Sequence, residues 1–394
     1  MRKSFKGTIC ASCIGYFTQA ILINFPPLLF VTFQNGFGIT LSQISLLIAM
    51  NFATELIVDI VCSKTAPKMG YRQSIITAQV MAIIGLALFP TLPFMMDNKL
   101  LALIIANVFC GIGGGMMEVL VSPIVEACPT TNKSGMMSLL HSFYCWGQMG
   151  VILISTVLFL TLGIEHWRYI TLAWAIVPLI DLILFCFVPI NPLESEDEKS
   201  SFASLFKNKV FWILLIMMLC AGSSEITISQ WASAFAEKGL GVEKWLGDLI
   251  GPCLFAVAMG STRLAFSKKA DKMNIENAIL ASACFTVFAY CVIIFAPVPA
   301  LSLVGCALCG IGCGILWPAS YSTATKRIPG GGVAMFGLLA LAGDLGCLSG
   351  PVIAGTLSDA FGNELKIGFL FAMALPILMI FMVLLLKRIK KSSK

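Results

Sequence analysis

The sequence predicts an all-α integral membrane protein: twelve transmembrane helices in two six-helix bundles, with both termini cytoplasmic. Three observations predict it. Of 394 residues, 58% are hydrophobic and only 12% are charged, with a mean hydropathy of +0.92, whereas soluble domains carry about 25% charged residues. Apolar runs near the roughly 20 residues that cross a bilayer recur twelve times along the chain. Finally, with the N-terminus inside, all but five of the 26 Lys and Arg residues fall in cytoplasmic segments, the exceptions being Lys99, Arg168, Lys238, Lys244 and Lys366.

Taken in order, span 1 (7–33) follows Met1-Arg-Lys-Ser-Phe-Lys6. A signal peptide starts in the same way, but this run is about twice an h-region and lacks a small-residue cleavage site. Spans 2 to 6 occupy 41–62, 73–96, 99–127, 135–163 and 166–189. The one long polar stretch, Asn191-Pro-Leu-Glu-Ser-Glu-Asp-Glu-Lys-Ser-Ser201, then divides the chain. It predicts an N-terminal bundle over 1–191, a cytoplasmic linker over 192–208 and a C-terminal bundle over 209–394. Spans 7 to 12 occupy 209–236, 243–267, 275–297, 300–326, 333–358 and 365–386. The net charge of +6 comes from loops and tails, so it carries no nucleic-acid signal. Most of the fifteen cysteines sit in apolar runs, where they act as small hydrophobes.

The halves repeat each other. Cys110-Gly-Ile-Gly-Gly-Gly115 returns as Cys309-Gly-Ile-Gly-Cys-Gly314, and the same offset of 199 carries Gly147 onto Gly346. Cys62-Ser-Lys-Thr-Ala-Pro-Lys-Met69 returns as Phe266-Ser-Lys-Lys-Ala-Asp-Lys-Met273 at an offset of 204. Chance likeness between glycine-rich helices is the plain alternative. Duplicated parallel six-span halves resemble the major facilitator superfamily of transporters, which implies a site at the interface of the halves and alternating access by rocking. The connection Gly260-Ser-Thr-Arg263…Ala270-Asp271-Lys-Met-Asn resembles that superfamily's acidic–basic loop signature, as does Gly355-Thr-Leu-Ser-Asp359-Ala-Phe-Gly362. Lys64-Thr-Ala-Pro-Lys-Met-Gly70-Tyr-Arg72 lacks the acid. Such charges can clamp helix ends in one conformation; simple positive-inside topology accounts for them equally.

Membrane acids carry the chemistry, because an intramembrane charge is expensive and usually faces a cavity. Glu118 lies in span 4 and His141 in span 5, at similar depth on successive antiparallel helices. Glu118 is the candidate proton-coupling group with His141 beside it, the alternative for each being a structural hydrogen bond. Glu55 and Asp59 in span 2 stand close to the inner end, and Glu55 is expected to snorkel to the cytoplasm. Glu126 reads as interfacial, and Asp181 in span 6 as satisfying a local hydrogen bond.

Span 7 reads Gly222-Ser-Ser-Glu225-Ile-Thr-Ile-Ser-Gln230-Trp231. An acid, an amide and an indole suit a sugar, through hydroxyl contacts and stacking on an apolar ring face. Glu225, Gln230 and Trp231 are therefore candidate substrate contacts. Asp344 in span 11 and Trp317 with Tyr321 in span 10 are candidates for further walls, with simple packing as the alternative.

Other motifs fail. Gly111-Ile-Gly-Gly-Gly115 lacks the dinucleotide pattern and suits close helix packing. Cys306-Ala-Leu-Cys309-Gly-Ile-Gly-Cys313 and Cys10-Ala-Ser-Cys13 lack a fourth ligand, so no metal or cofactor is expected. There is no Walker motif for direct ATP drive, and the sequon Asn132-Lys-Ser134 falls on the cytoplasmic side.

The stretch Gly111-Ile-Gly-Gly-Gly-Met-Met-Glu118…Leu139-Leu-His141-Ser-Phe-Tyr-Cys-Trp-Gly147 resembles the fucose permease family of sugar–proton symporters. Gly222…Glu225…Trp231 is similar to its glucose/mannose branch. The resemblance implies that Glu118 takes part in proton coupling. Fucose transporters also use an acid in span 1, and Gly15-Tyr-Phe-Thr-Gln-Ala-Ile-Leu-Ile-Asn24 has none. The expectation is a monomeric, multi-pass transporter in a cell membrane, of the bacterial inner-membrane type, importing a sugar or similar small polar solute with protons. Drug or metabolite efflux and a non-transporting receptor on the same fold are the alternatives. With two histidines and no convergent nucleophile–base set, an enzyme is not expected.

Overall fold

The computed structural model describes residues 5–129, 133–191, 205–269, 273–328 and 332–389, and every regular element among them is helical. Twelve helical segments are long and apolar enough to cross a membrane. Spans 1 to 6 are Lys6–Phe37, Leu41–Cys62, Tyr71–Leu88, Lys99–Val125, Ser142–Leu162 and Ile164–Phe187; spans 7 to 12 are Lys209–Gly239, Lys244–Phe266, Ile275–Phe295, Pro299–Arg327, Met335–Ala360 and Leu365–Arg388. Large apolar side chains such as Leu160, Phe187, Phe295 and Phe381 stand on the outside, where only hydrocarbon would solvate so large an apolar surface.

Local chemistry explains the breaks. Pro26 and Pro27 tighten span 1 into a short 3-10 turn at Pro26–Leu29, since a proline removes a helical donor. Gly38, at φ +67°, then ends that span in the left-handed conformation that glycine adopts at no steric cost. Thr40 and Gln43 form a reciprocal capping box at the start of span 2. Asn98, Asn208 and Asn274 cap spans 4, 7 and 9 by accepting from Leu101, Val210 and Asn277 amides. Span 3 stops at Leu88, short of the expected residue 96, because Pro90 cannot continue the hydrogen-bond ladder.

The chain divides into two compact units, Met1–Glu194 and Ser195–Lys394. Within the first, span 4 packs on spans 1, 2 and 3, span 1 also on spans 5 and 6, and span 3 on span 6. Within the second, span 10 packs on spans 7, 8 and 9, span 7 on spans 11 and 12, and span 9 on span 12. The same neighbour pattern therefore recurs in each unit.

Glycines permit the closest of these contacts. A Cβ at Gly113 would lie 2.8 Å from the Ala82 nitrogen of span 3, and one at Gly312 would lie 2.9 Å from Thr286 Cα of span 9. Gly111 and Gly115 face span 2 as Gly310 and Gly314 face span 8, and Gly147 meets span 1 as Gly346 meets span 7. The glycine repeat in the sequence is thus a repeat of helix contacts, with small residues letting backbones approach.

Candidate functional site

In the first unit, spans 1 and 4 bring together the polar side chains that the sequence suggests for proton coupling. Tyr16 and Gln19 lie three residues apart on span 1, Glu118 and Ser122 four apart on span 4, so each pair shares a helix face. Gln19 Nε2 donates to Glu118 Oε2 at 2.8 Å, and the Tyr16 and Ser122 hydroxyls bond at 2.8 Å. Glu118 is half-buried. Among the described residues no cation pairs with it, so its polar anchor is one neutral amide.

His141 belongs to the helix Lys133–Leu162, just ahead of span 5, but its side chain lies outside the described residues, as does that of Glu126. The expectation for Glu55 is corrected. Rather than snorkelling, it is 4% exposed and turns into the bundle against span 4, where a Cβ on Gly114 would lie 2.7 Å from its Oε1. Asn51, one turn away, donates to that same oxygen at 3.2 Å. The glycine at 114 gives the carboxyl room that a larger residue would occupy. Asp181 is fully buried and accepts from Gln79 of span 3 at 2.6 Å.

In the second unit Glu225 has a partner that the sequence did not reveal. Arg263 Nη2 reaches its Oε1 and Oε2 at 3.0 and 2.8 Å, and Arg263 Nε donates to the Gly314 carbonyl at 3.2 Å. Sequence reasoning placed Arg263 in the cytoplasmic connection; the structure places it in the last turn of span 8, with its guanidinium turned to span 7. Its position beside a run of loop charges hid this role. Glu225 is therefore neutralised inside its own bundle.

Trp231 and Gln230 are almost wholly enclosed, and the Trp231 indole N–H donates to the Pro351 carbonyl of span 11 at 3.0 Å. In this conformation Trp231 ties span 7 to span 11. The remaining candidates are grouped. The Trp317 ring lies against Gly343, where a side chain could not stand, and Asp344 is the next residue. Tyr321 packs edge-on to Trp317 at a centroid distance of 6.3 Å and against Phe336 at 5.4 Å. Trp317, Tyr321 and Asp344 are all half-buried, with the Asp344 Oδ2 itself shielded from solvent, and they stand on adjacent helices.

At the far end of spans 7 and 8, both helices widen to π geometry, at Phe235–Gly239 and Leu249–Cys253. Between them Lys244 pairs with the buried Asp248 at 3.0 Å, and Ser233 donates to Asp248. Lys244 is thus no free loop charge.

A family model for the Major Facilitator Superfamily matches residues 8–336. The chain belongs to that superfamily, and its fold is that of a membrane transporter. Solved structures bear the fold out. One is the E. coli fucose:proton symporter, with 16% identity, a TM-score of 0.66 and coverage of 98% of this chain and 100% of that one. A D-xylose-proton symporter matches with 15% identity and a TM-score of 0.75, over 98% and 97% of the two chains. A bacterial homologue of the human lysosomal transporter Spinster matches with 14% identity and a TM-score of 0.79, over 96% of each chain. At these identities the likeness is one of fold. No curated protein sequence matches the chain.

Proposed function

We propose that this chain is a proton-coupled importer of a small polar solute of the sugar class, working by alternating access in a cell membrane. The observation that carries the proposal is the Glu118–Gln19 pair. A half-buried carboxyl group anchored by one neutral amide, with no cation beside it among the described residues, is not locked in its charged form by an ion pair. Gln19 suits both forms: its N–H donates to the carboxylate, and after an amide flip its carbonyl accepts from the carboxylic acid. Glu118 is thus a group able to take and release a proton during a transport cycle. The Glu225 carboxylate, held by Arg263, is a less suitable proton carrier.

For the solute we assign Trp317, Tyr321 and Asp344. Ring faces beside a carboxylate match the apolar face and hydroxyl edges of a pyranose. Glu225 and Trp231 shape that side of the second unit by fixing span 7 to spans 8 and 11, with Gln230 buried between them in sequence. The fucose and xylose symporters among the structural neighbours support the sugar class as analogy of fold.

The test is external pH in a weakly buffered suspension of de-energised cells, with pentoses, hexoses and deoxyhexoses added singly. Wild type and Glu118→Gln are compared at matched surface expression. One sugar should alkalinise the medium in wild type, and Glu118→Gln should abolish that signal while retaining counterflow of the sugar. Silence across the panel would refute the sugar-symporter reading; alkalinisation unchanged in the variant would refute the role of Glu118.

A further inference from the structure

Besides Glu55, the first unit holds another buried acid that the proposed chemistry at Glu118 does not use. Asp181 of span 6, Gln79 of span 3 and Met117 of span 4 are each fully buried. Both protons of the Gln79 amide are engaged: Nε2 lies 2.6 Å from Asp181 Oδ2 and 3.4 Å from Met117 Sδ. The other atom of each group is left over. Asp181 Oδ1 and Gln79 Oε1 are both shielded from solvent and both lack a hydrogen-bond partner. Each is an acceptor, and a buried unsatisfied acceptor is costly.

These two orphans belong to adjacent groups already bonded through their other atoms. A single hydrogen placed on Oδ1 satisfies both, because a carboxylic acid and a primary amide can form a closed ring of two hydrogen bonds, N–H to C=O and O–H to C=O. The alternative amide orientation does not remove the need. It would set Gln79 Oε1 against Asp181 Oδ2 at 2.6 Å, a separation that two acceptors tolerate only with a proton between them. An ionised Asp181 would need a cation, and none pairs with it among the described residues. Cys13 of span 1 is a titratable group near enough for Asp181 to act on its thiol, and a thiol supplies no positive charge. Span 1 crosses the pair at Gly15, where even a Cβ would lie 3.4 Å from Asp181 Oδ2.

We infer that Asp181 and Gln79 form a cyclic acid–amide pair closed by a resident proton on Asp181, a proton site separate from Glu118 that docks span 6 onto span 3. The proton is structural. It does not leave during transport, so this acid adds nothing to the coupling stoichiometry. The inference stands whether or not Glu118 carries a coupled proton.

The experiment is infrared difference spectroscopy of the full chain in lipid, wild type minus Asp181→Asn. Asparagine can close the same ring with Gln79 without a proton. The result expected is a protonated-carboxyl band in the difference spectrum, of equal intensity at mildly acidic, neutral and mildly alkaline pH, together with an uptake rate and pH profile of Asp181→Asn unchanged from wild type. A carboxylate band in its place, or a band that titrates across that range, would overturn the inference. So would an Asp181→Asn variant that folds and yet loses solute-driven proton uptake as Glu118→Gln does. If the variant does not fold, wild type grown on isotope-labelled aspartate decides: no label-shifted protonated-carboxyl band at neutral pH would likewise overturn it.

Discussion

Replacing Arg263 by leucine should unbalance the second unit more than any other single charge removal, and the size of the effect can be worked from the contacts. Arg263 Nη2 serves both oxygens of Glu225, whose side chain is 10% exposed. Truncating one partner of a buried pair leaves the other charge desolvated and costs about 3–5 kcal/mol. The Arg263 side chain keeps 27% of its surface exposed, so water can partly enter the gap and the cost falls at the lower end, about 3 kcal/mol. That is roughly a 150-fold change in the folded-to-unfolded ratio. Glu225→Gln retains an acceptor for the guanidinium and should cost about 1.5–3 kcal/mol, the worth of a hydrogen bond to a charged group. The double variant removes both charges and should be more stable than Arg263→Leu alone. The assay is reversible denaturation of the purified chain in mixed micelles, with all four members of the cycle compared. A coupling energy of about 2 kcal/mol or more is expected for groups in direct contact. Additive single effects, or an Arg263→Leu variant as stable as wild type, would refute the reasoning.

Three further outcomes are expected. Gly113→Ala and Gly312→Ala should each lose about 1–3 kcal/mol by overpacking, since the added methyl meets backbone atoms of spans 3 and 9; Gly337→Ala, with nothing within 4 Å of its new Cβ, should gain about 0.5–1 kcal/mol. Melting temperatures of the three in one detergent check both. Gln19→Leu strips Glu118 of its donor at 2.8 Å, a charge-assisted bond worth about 1.5–3 kcal/mol, or roughly tenfold to a hundredfold in coupled uptake; counterflow against proton-driven accumulation measures it. Arg72→Leu should loosen the end of span 6, because its guanidinium donates to the Phe185, Cys186 and Val188 carbonyls and a cation at a helix C-terminus is favourable; faster proteolysis of the connection after span 6 would report it.

The fold was legible in the sequence because the bilayer imposes it. A span must satisfy its backbone internally over a fixed thickness, so length and hydropathy alone locate helices. Errors of extent arose where proline intervened, as at Pro90. The glycine repeat was legible as well, since a glycine needed for close contact cannot be replaced cheaply. Partners were harder to read. Glu118 stood out as a charge in an apolar run, but Gln19 did not, because a neutral amide barely lowers the hydropathy of its span. Arg263 was hidden by Lys268, Lys269 and Lys272 nearby: a charge-rich segment looks the same whether its first member faces water or reaches back into the bundle. For Asp181 a local bond was expected, and the partner proved to be a residue of another helix. Which acid meets which amide depends on helix rotation, and rotation is set by packing.

The repeat then shows how one architecture carries two different sets of side chains. The offset of 199 that superposes the glycines also sets Glu118 of span 4 on Trp317 of span 10. Likewise the offset of 204 between spans 2 and 8 sets Asp59 on Arg263. Both of the latter stand by equivalent glycines: a Cβ on Gly115 would lie 3.2 Å from Asp59 Oδ1, and Arg263 Nε bonds the Gly314 carbonyl. The contacts that fix helix rotation are thus shared, while the side chains that they aim differ in charge and kind. In the first unit the aimed group on span 4 is a carboxyl bonded to a neutral amide, without a cation among the described residues. In the second, the group at the same place on span 10 is an indole, and the carboxylate nearby on span 7 is already neutralised by arginine. A duplicated bundle can change function in one copy without losing its fold because the glycines, not the aimed residues, hold the helices in register.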